Sequence, residues 1–159
     1  MRAMRHGSKG SGNSAAALAA ALMLAACDPQ GAPAPPAAAN PVAYFEIPVT
    51  DMDRAMRFYT GVFNLPLSRR TIDGYDMALF PRTDGAGASG ALARGDIYVP
   101  AKTGPVIYFG VADIDVVLGR ARQRGARILY PKKPLGDGSA VAEIEDSEGN
   151  RIALLQSIR

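Results

Sequence analysis

Residues 41–67 read PVAYFEIPVTDMDRAMRFYTGVFNLPL, in which a strand pattern passes directly into a helix pattern. Alternating apolar side chains in the first part predict a half-buried strand. Thr50 and Asp51 can cap the following helix, whose apolar residues recur at the spacing of one helical face. Those residues are Met52, Ala55, Met56 and Tyr59. Gly61 can end the helix, and a second strand is predicted to begin near Leu67.

A degenerate copy of this pattern occurs later in the chain. Residues 105–129 read PVIYFGVADIDVVLGRARQRGARIL, and a shift of 62 positions aligns Asp51 with Asp113. Because the strand, the acidic cap and the helical stripe all recur in register, the chain contains an internal duplication. Each copy predicts one strand, one helix and three further strands, and such a module has a sheet face that it cannot cover alone. We therefore predict an α+β fold of two tandem βαβββ modules, at about 42–99 and 105–158.

The later strands of each module are predicted from short apolar runs between turn signals. An Asp-Gly pair, which is a strong two-residue hairpin signal, separates the second strand from the third. The strands predicted in this way include residues 67–72, 75–80, 91–99 and 127–130. A long loop is predicted at residues 131–138.

The N-terminus has the layout of a secretory signal peptide. Residues 1–9 are basic, and a run of Ala, Leu and Met follows at 15–26, too short to span a bilayer as a stable helix. The run ends in Leu-Ala-Ala-Cys at Cys27, which resembles the bacterial lipobox. That resemblance implies a lipid on Cys27 and removal of residues 1–26. The alternative is an ordinary cleaved signal, with Cys27 as a spare thiol.

The segment after this cysteine predicts a membrane tether. Residues 28–41 read DPQGAPAPPAAANP, with five prolines in fourteen residues. Such a segment forms an extended spacer, here of roughly 40 Å. We interpret 27–41 as the lipidated cysteine with its tether, and 42–159 as one domain. Asp28 after a lipobox implies retention at the inner membrane in enteric bacteria, so we expect a lipid-anchored protein of the cell envelope, facing the periplasm.

Removal of the signal changes the charge and the reactive groups of the chain. The 18 basic residues less Arg2, Arg5 and Lys9 leave 15, against 15 acidic residues. With a net charge near zero and no basic stripe, nucleic acid is not an expected partner. His6 is also removed, and Cys27 is the one cysteine. The mature chain therefore has no histidine and no free thiol for a Cys–His dyad, a Ser–His–Asp triad or a zinc site.

Three motifs in order resemble the vicinal oxygen chelate superfamily, which includes glyoxalase I, bleomycin resistance proteins and extradiol dioxygenases. The motifs are IPVTDMDRAMRFYTGVFNLPL, FGVADIDVVLGRARQRGARIL and AEIEDSEGNRIALLQ. The resemblance covers essentially all of residues 42–157. It implies that the curved sheets of paired modules enclose a cavity. In the enzymes of this superfamily, the cavity holds a divalent metal on His and Glu side chains from four strand positions.

The residues at those four positions do not suit a metal. By the resemblance, three of the positions are Tyr44, Val106 and Ala153. The fourth falls in the later strands of the first module, where Asp76 is the candidate carboxylate. Because Val and Ala offer no ligand atoms and a phenol is a poor ligand, we expect no metal and no other cofactor.

Strand alternation identifies candidate ligand-binding residues. Tyr44 and Glu46 share one face of the first strand, and Tyr108 takes the matching face in the second module. If that face lines the cavity, Tyr44, Glu46 and Tyr108 are candidates, and Asp76 is a further cavity candidate from the later strands of the first module. Glu46 could act as a general base or hydrogen-bond a ligand; the alternative is a structural pairing with an arginine or a backbone amide. The tyrosines can equally be core aromatics, and no catalytic residue can be assigned.

Other charged residues have a structural interpretation. Asp51 and Asp113 are predicted helix caps, and residues 146–150 form a tight turn. Four arginines are expected to spread over the solvated face of the second helix and beyond its end. They are Arg120, Arg122, Arg124 and Arg127.

We therefore expect a membrane-tethered, metal-independent binding protein for a small, partly apolar or aromatic molecule. The alternative is an enzyme of the same superfamily, a lyase, isomerase or dioxygenase with a displaced or absent metal site. A structural envelope protein with a filled cavity is a third interpretation. The modules can pair within one chain or across a homodimer, and both arrangements stay open.

Overall fold

The computed structural model describes residues 41–82 and 87–157. The predicted signal peptide, the lipidation of Cys27 and all but the last residue of the predicted tether lie outside the described residues. Within the described ranges, no helix is both long enough and apolar enough to cross a membrane.

The described residues form two βαβββ modules with the same topology. The first contains β1 (Tyr44–Pro48), α1 (Met52–Phe63), β2 (Ser68–Ile72), β3 (Tyr75–Leu79) and β4 (Ser89–Arg94). The second contains β5 (Ile107–Gly110), α2 (Ile114–Gln123), β6 (Arg127–Pro134), β7 (Ala140–Glu145) and β8 (Arg151–Gln156). The sheets have the orders β1-β4-β3-β2 and β5-β8-β7-β6, and the first and last strands of each module are parallel. The predicted α+β class and the tandem modules are confirmed.

Aspartates begin both helices, as the sequence predicts. Asp51 Oδ1 accepts a hydrogen bond from Arg54 N at 2.9 Å, and Asp113 Oδ1 accepts one from Asp115 N at 2.8 Å. These side chains satisfy N–H groups that have no partner within the first helical turn. The caps therefore fix where each helix leaves its strand.

Two boundaries differ from those predicted. Helix α1 does not end at Gly61 but continues to Phe63, and Asn64 ends it in the left-handed conformation with φ of 56°. Strand β6 continues through Pro134 into the predicted loop at 131–138. Because β6 is an edge strand whose register with β7 shifts twice, it can accommodate prolines that a central strand would exclude.

One hydrophobic core joins the two modules. Helices α1 and α2 pack against each other, and the helix-facing side chains of both sheets complete the core. The ring of Phe109 on β5 lies 4.5 Å from that of Phe63 on α1 and 6.2 Å from that of Phe45 on β1. Aromatic pairs at these distances attract one another beyond the area that they bury. The helix-bearing faces are thus buried, and the opposite face of each sheet points away from this core.

A buried polar cluster also joins the modules, at the turn of residues 146–150. Asp146 is 5% exposed, and its carboxylate accepts hydrogen bonds from the Tyr59 hydroxyl at 2.7 Å and from the Asn150 side chain at 2.9 Å. Asn150 also donates to the carbonyl of Pro48 at 2.8 Å. Burial raises the pKa of Asp146, and burial raises the pKa of Tyr59 well above its usual value. The turn therefore binds the second module to both α1 and the end of β1.

Glu148 extends from the same turn to the beginning of α1. Its Oε2 accepts hydrogen bonds from the backbone N–H groups of Thr50 at 3.0 Å and Asp51 at 3.1 Å. Its two oxygens also pair with the Arg54 guanidinium at 2.8 and 2.7 Å. Burial alone would raise the pKa of Glu148, but the hydrogen bonds from Arg54 and Thr50 lower it to about 2. The charge also complements the positive end of the helix dipole.

We predict that Glu148→Gln lowers the free energy of unfolding at neutral pH by about 2 kcal/mol, because hydrogen bonds to a charged group are lost. Urea unfolding gives this quantity directly. Asp53→Asn is the matched control, since it removes a carboxylate that pairs with Arg69 in the exposed first turn of the same helix. The control substitution should lower the free energy of unfolding by less than about 1 kcal/mol.

The cost of Glu148→Gln should depend on pH with a defined sign. Because folding lowers the pKa of Glu148, its stabilising contribution is present above the ordinary value of 4.5 and is lost as the pH falls toward about 2. The difference in unfolding free energy between wild type and variant should shrink over that range. A difference that stays constant from neutral pH to the acid limit would contradict this role.

Candidate functional site

The open face of the first sheet has a flat apolar floor. Ala91 lies opposite Glu46 of β1, and Ala93 lies opposite Met77 of β3. Both alanines are fully buried, and Met77 is nearly so. The side chains of Tyr75, Leu79 and Tyr98 pack over these three residues. We call the arrangement of Tyr44, Glu46, Tyr75 and Tyr98 around this floor the tyrosine cup.

Tyr98 belongs to the segment between the modules. The strand predicted at 91–99 ends at Arg94, and the Tyr98 N–H donates to the Gly95 carbonyl at 3.2 Å. Its ring lies edge-on to that of Tyr75, with 5.3 Å between the ring centroids. Gly95 permits this packing, since a Cβ at that position would collide with the Tyr75 ring. Sequence reasoning missed both rings, although the Arg-Gly-Asp break in the apolar pattern marks the end of the strand.

Glu46 is bound by a tyrosine in this cup. The Tyr98 hydroxyl donates a hydrogen bond to Glu46 Oε2 at 2.7 Å. This hydrogen bond, with a smaller effect of burial, raises the pKa of Tyr98 to about 12. Burial and the charge of Glu46 also raise the pKa of Tyr44. Among the described residues, neither an arginine nor a backbone amide donates to Glu46, so one carboxylate oxygen remains available to a ligand.

A cleft of about 580 Å³ opens beside the cup, where the hairpin of β3 meets the end of β4. Tyr75 and Tyr98 form its aromatic wall, and Arg94 and Asp96 supply charged groups at its edge. Apolar surface with a few converging polar groups is typical of small-molecule sites. The cup and cleft together suit a planar, partly apolar molecule that carries a hydrogen-bond donor.

The structure does not place Asp76 with the other predicted residues. Alternation along β3 puts Asp76 on the helix-facing side with Ala78, whereas Glu46 lies on the open side. The Arg69 guanidinium donates to both oxygens of Asp76 at 2.8 and 2.6 Å and continues to Asp53 on α1. Arg69 thereby lowers the pKa of Asp76. Asp76 therefore lies on the other face of the sheet from Glu46, and it lines the cleft beside the cup.

Tyr108 occupies the matching position on the second sheet. It is 52% exposed on β5, opposite Ala153 of β8. The same open face carries a two-point ion pair of Glu143 with Arg151, at 2.8 and 2.7 Å. Tyr108 and Tyr44 thus lie on the open faces of different sheets.

The strand register identifies the fourth metal position that the sequence left loose. Tyr108 pairs with Ala153, and 62 residues earlier Glu46 pairs with Ala91. Ala91 is therefore the counterpart of Ala153. The four positions hold Tyr44, Ala91, Val106 and Ala153. Within 41–82 and 87–157, no group of three or more His, Cys, Asp or Glu side chains could hold a metal ion, so the residues present do not fit the divalent metal that the resemblance implies.

We predict that Glu46→Gln returns the pKa of Tyr98 from about 12 toward its ordinary value of 10.0, because the charged acceptor is removed. NMR titration of protein with ¹³C-labelled tyrosine rings measures this pKa, and Tyr98→Phe assigns the resonance. An unchanged Tyr98 titration in the Gln variant would show that Glu46 does not cause the shift.

Comparison with protein families gives one match. The family model described as Glyoxalase/Bleomycin resistance protein/Dioxygenase superfamily matches residues 41–154. A search of curated proteins gave no match.

Solved structures share the architecture. TnmS3, an antibiotic binding protein from Streptomyces sp. CB03234, is 24% identical with a TM-score of 0.58, and the match covers 77% of this chain and 99% of that one. A glyoxylase/bleomycin resistance protein/dioxygenase domain from Frankia sp. EAN1pec is 20% identical with a TM-score of 0.61, covering 76% and 100%. A glyoxalase I mutant from Zea mays is 20% identical with a TM-score of 0.58, covering 74% of this chain and 46% of that one. At these identities the likeness shows the fold alone.

Proposed function

This chain belongs to the glyoxalase/bleomycin resistance protein/dioxygenase superfamily, and we propose that it binds a small, partly aromatic molecule in the tyrosine cup without using a metal. The observation that carries the proposal is the hydrogen-bonded pair of Tyr98 and Glu46 over the alanine floor. The shared fold of an antibiotic binding protein gives further support.

The groups around the cup define the chemistry of the ligand. Tyrosine rings attract planar rings in offset or edge-on contact, and they also attract cations over their faces. The free oxygen of Glu46 can accept a hydrogen bond from a ligand N–H or O–H group. Because the negative charge of Glu46 repels anions, the part of the ligand that contacts Glu46 is neutral or cationic.

The same groups favour binding over catalysis. A general acid or base works best when its pKa lies near the operating pH, whereas the pKa of Tyr98 is raised to about 12. The hydroxyl of Tyr98 is also occupied, since it donates to Glu46. The four strand positions that would supply a metal site offer a single phenol. An enzyme with a displaced metal site is the competing function, and the next experiment separates the two.

We predict that some planar aromatic compounds raise the melting temperature of the full-length protein in the presence of a chelator, because a ligand that binds only the folded state stabilises it. In a separate series without the chelator, divalent Ni, Zn, Fe and Mn ions should not change the melting temperature. Glu46→Gln and Tyr44→Ala should remove about half of the compound shift or more. The control Asp115→Asn, which removes an exposed acid on α2, should leave it unchanged. Stabilisation by a metal with no effective compound would contradict the proposal and favour the enzyme.

We further propose that a second copy of the chain completes the site. Strands β1 and β5 are both edge strands, and an unpaired edge is a ready surface for association. Large apolar side chains are exposed on the open faces and the segment between the modules. They are Tyr44 (47% exposed), Ile97 (65%), Val99 (71%) and Tyr108 (52%). Joining the open faces of two copies would bury these side chains and close the cup.

A dimer is therefore expected in light scattering coupled to size exclusion. Tyr108→Glu should shift the mass toward that of a monomer, because it places a charge in the proposed interface. Val116→Glu, at an equally exposed apolar position on α2, is the control and should leave the dimer intact. A monomeric wild type over the accessible concentration range would exclude this arrangement.

We also propose that a lipid on Cys27 anchors the protein in the cell envelope, with Asp28 favouring the inner membrane and the periplasmic side. The support is the Leu-Ala-Ala-Cys sequence after an apolar run and the proline-rich segment that follows. Several acyl chains bind a membrane stably, whereas one chain binds marginally.

Cys27→Ser should move the protein from the membrane fraction to the soluble fraction and abolish incorporation of labelled palmitate. Asp28→Ser is the control, and it should keep both the label and the membrane association. A Cys27→Ser variant that still sediments with membranes would rule out a lipid anchor at this residue.

A further inference from the structure

A second cleft of about 580 Å³ lies among α1, the end of α2 and the 146–150 turn. Its charged lining residues are Arg54 and Arg57 of α1, Arg124 and Arg127 after α2, and the acids Glu145 and Asp146. The carboxylate of Asp146 is bound by Tyr59 and Asn150 within the buried cluster. The cleft is therefore rich in guanidinium groups.

Two of the four arginines have carboxylate partners. Arg54 pairs with Glu148 at 2.7 Å. Arg127 pairs with Glu145 at 2.7 Å, and Glu145 also pairs with Lys102 at 2.8 Å. Arg54, Arg127 and Glu145 therefore already form ion pairs within the protein.

The other two arginines, Arg57 and Arg124, have no carboxylate partner among the described residues. Arg57 makes no hydrogen bond or ion pair there, and the Arg124 side chain donates to the carbonyl of Arg120 at 3.2 Å. A Cβ added at Gly61 would collide with the Arg124 guanidinium, so this group lies directly against α1. Gly61 follows Arg57 by one helical turn on the same face. Arg57 and Arg124 therefore both line the cleft beside this face of α1, and no carboxylate among the described residues matches either charge.

We infer that this cleft binds an oxyanion of the phosphate class between Arg57 and Arg124. The planar fork of a guanidinium binds phosphate oxygens in pairs, and two such groups without a carboxylate partner line this cleft. A cleft of about 580 Å³ has room for a phosphate ester as well as for the anion. The same chemistry is offered by a soluble phosphate ester and by the headgroup of an anionic lipid.

Calorimetric titration of the full-length protein with inorganic phosphate tests the soluble source. Vesicles of phosphatidylcholine with and without phosphatidic acid test the lipid source, and this arm uses the Cys27→Ser protein so that no acyl chain inserts into either vesicle. Binding of free phosphate assigns a soluble ligand, and binding confined to phosphatidic acid vesicles assigns a headgroup. In whichever arm binding occurs, Arg57→Gln with Arg124→Gln should weaken it by about tenfold or more.

The matched control is Arg82→Gln with Arg122→Gln, which removes the same charge outside the cleft and should change affinity by less than about twofold. Gly61→Ala keeps every charge but displaces Arg124, so it too should weaken binding while the protein stays folded by circular dichroism. Absence of binding in both arms, an equal loss in the control, or full binding by Gly61→Ala would overturn the inference.

Discussion

The carboxylates of Asp146 and Glu148, carried on one short turn of the second module, bind the first module at α1. Asp146 accepts a hydrogen bond from the buried hydroxyl of Tyr59, and Glu148 accepts hydrogen bonds from the N–H groups just before the helix and from the guanidinium of Arg54. Together with the aromatic contact of Phe63 and Phe109, these bonds hold the helix-bearing faces against each other. Because the helix-bearing faces are held together, the opposite faces of both sheets stay open, and the tyrosine cup lies on one of them.

The sequence predicted the elements that depend on local signals. Alternation, helical spacing and capping aspartates are short-range patterns, and the 62-residue repeat of Asp51 as Asp113 supplied the module topology. Contacts between distant segments carry no such pattern. Tyr98 reaches Glu46 across 52 positions, and Glu148 reaches Thr50 across 98. The 146–150 turn was therefore interpreted as local, and the face of the sheet on which Asp76 lies became known only after β3 had been paired.

The candidate site combines groups that suit binding. Its floor consists of Ala91 and Ala93, of which Ala91 lies at a position where a metal site would need a larger polar residue, and Glu46 keeps one carboxylate oxygen that Tyr98 does not occupy. Elsewhere, Arg122, Arg124 and Arg127 are exposed, as expected, and Arg124 also lies against α1 because Gly61 gives it room. In the tyrosine cup and beside α1, a small residue allows larger side chains to pack closely against the backbone.

The most direct test is a crystal structure of the protein with a stabilising aromatic compound, grown with divalent metal ions in solution. A metal-independent binding site predicts the compound against the rings of Tyr75 and Tyr98, within hydrogen-bond distance of Glu46, and no ion beside Tyr44. An ion bonded to side chains of both modules, with the compound attached to it, would contradict the proposed function.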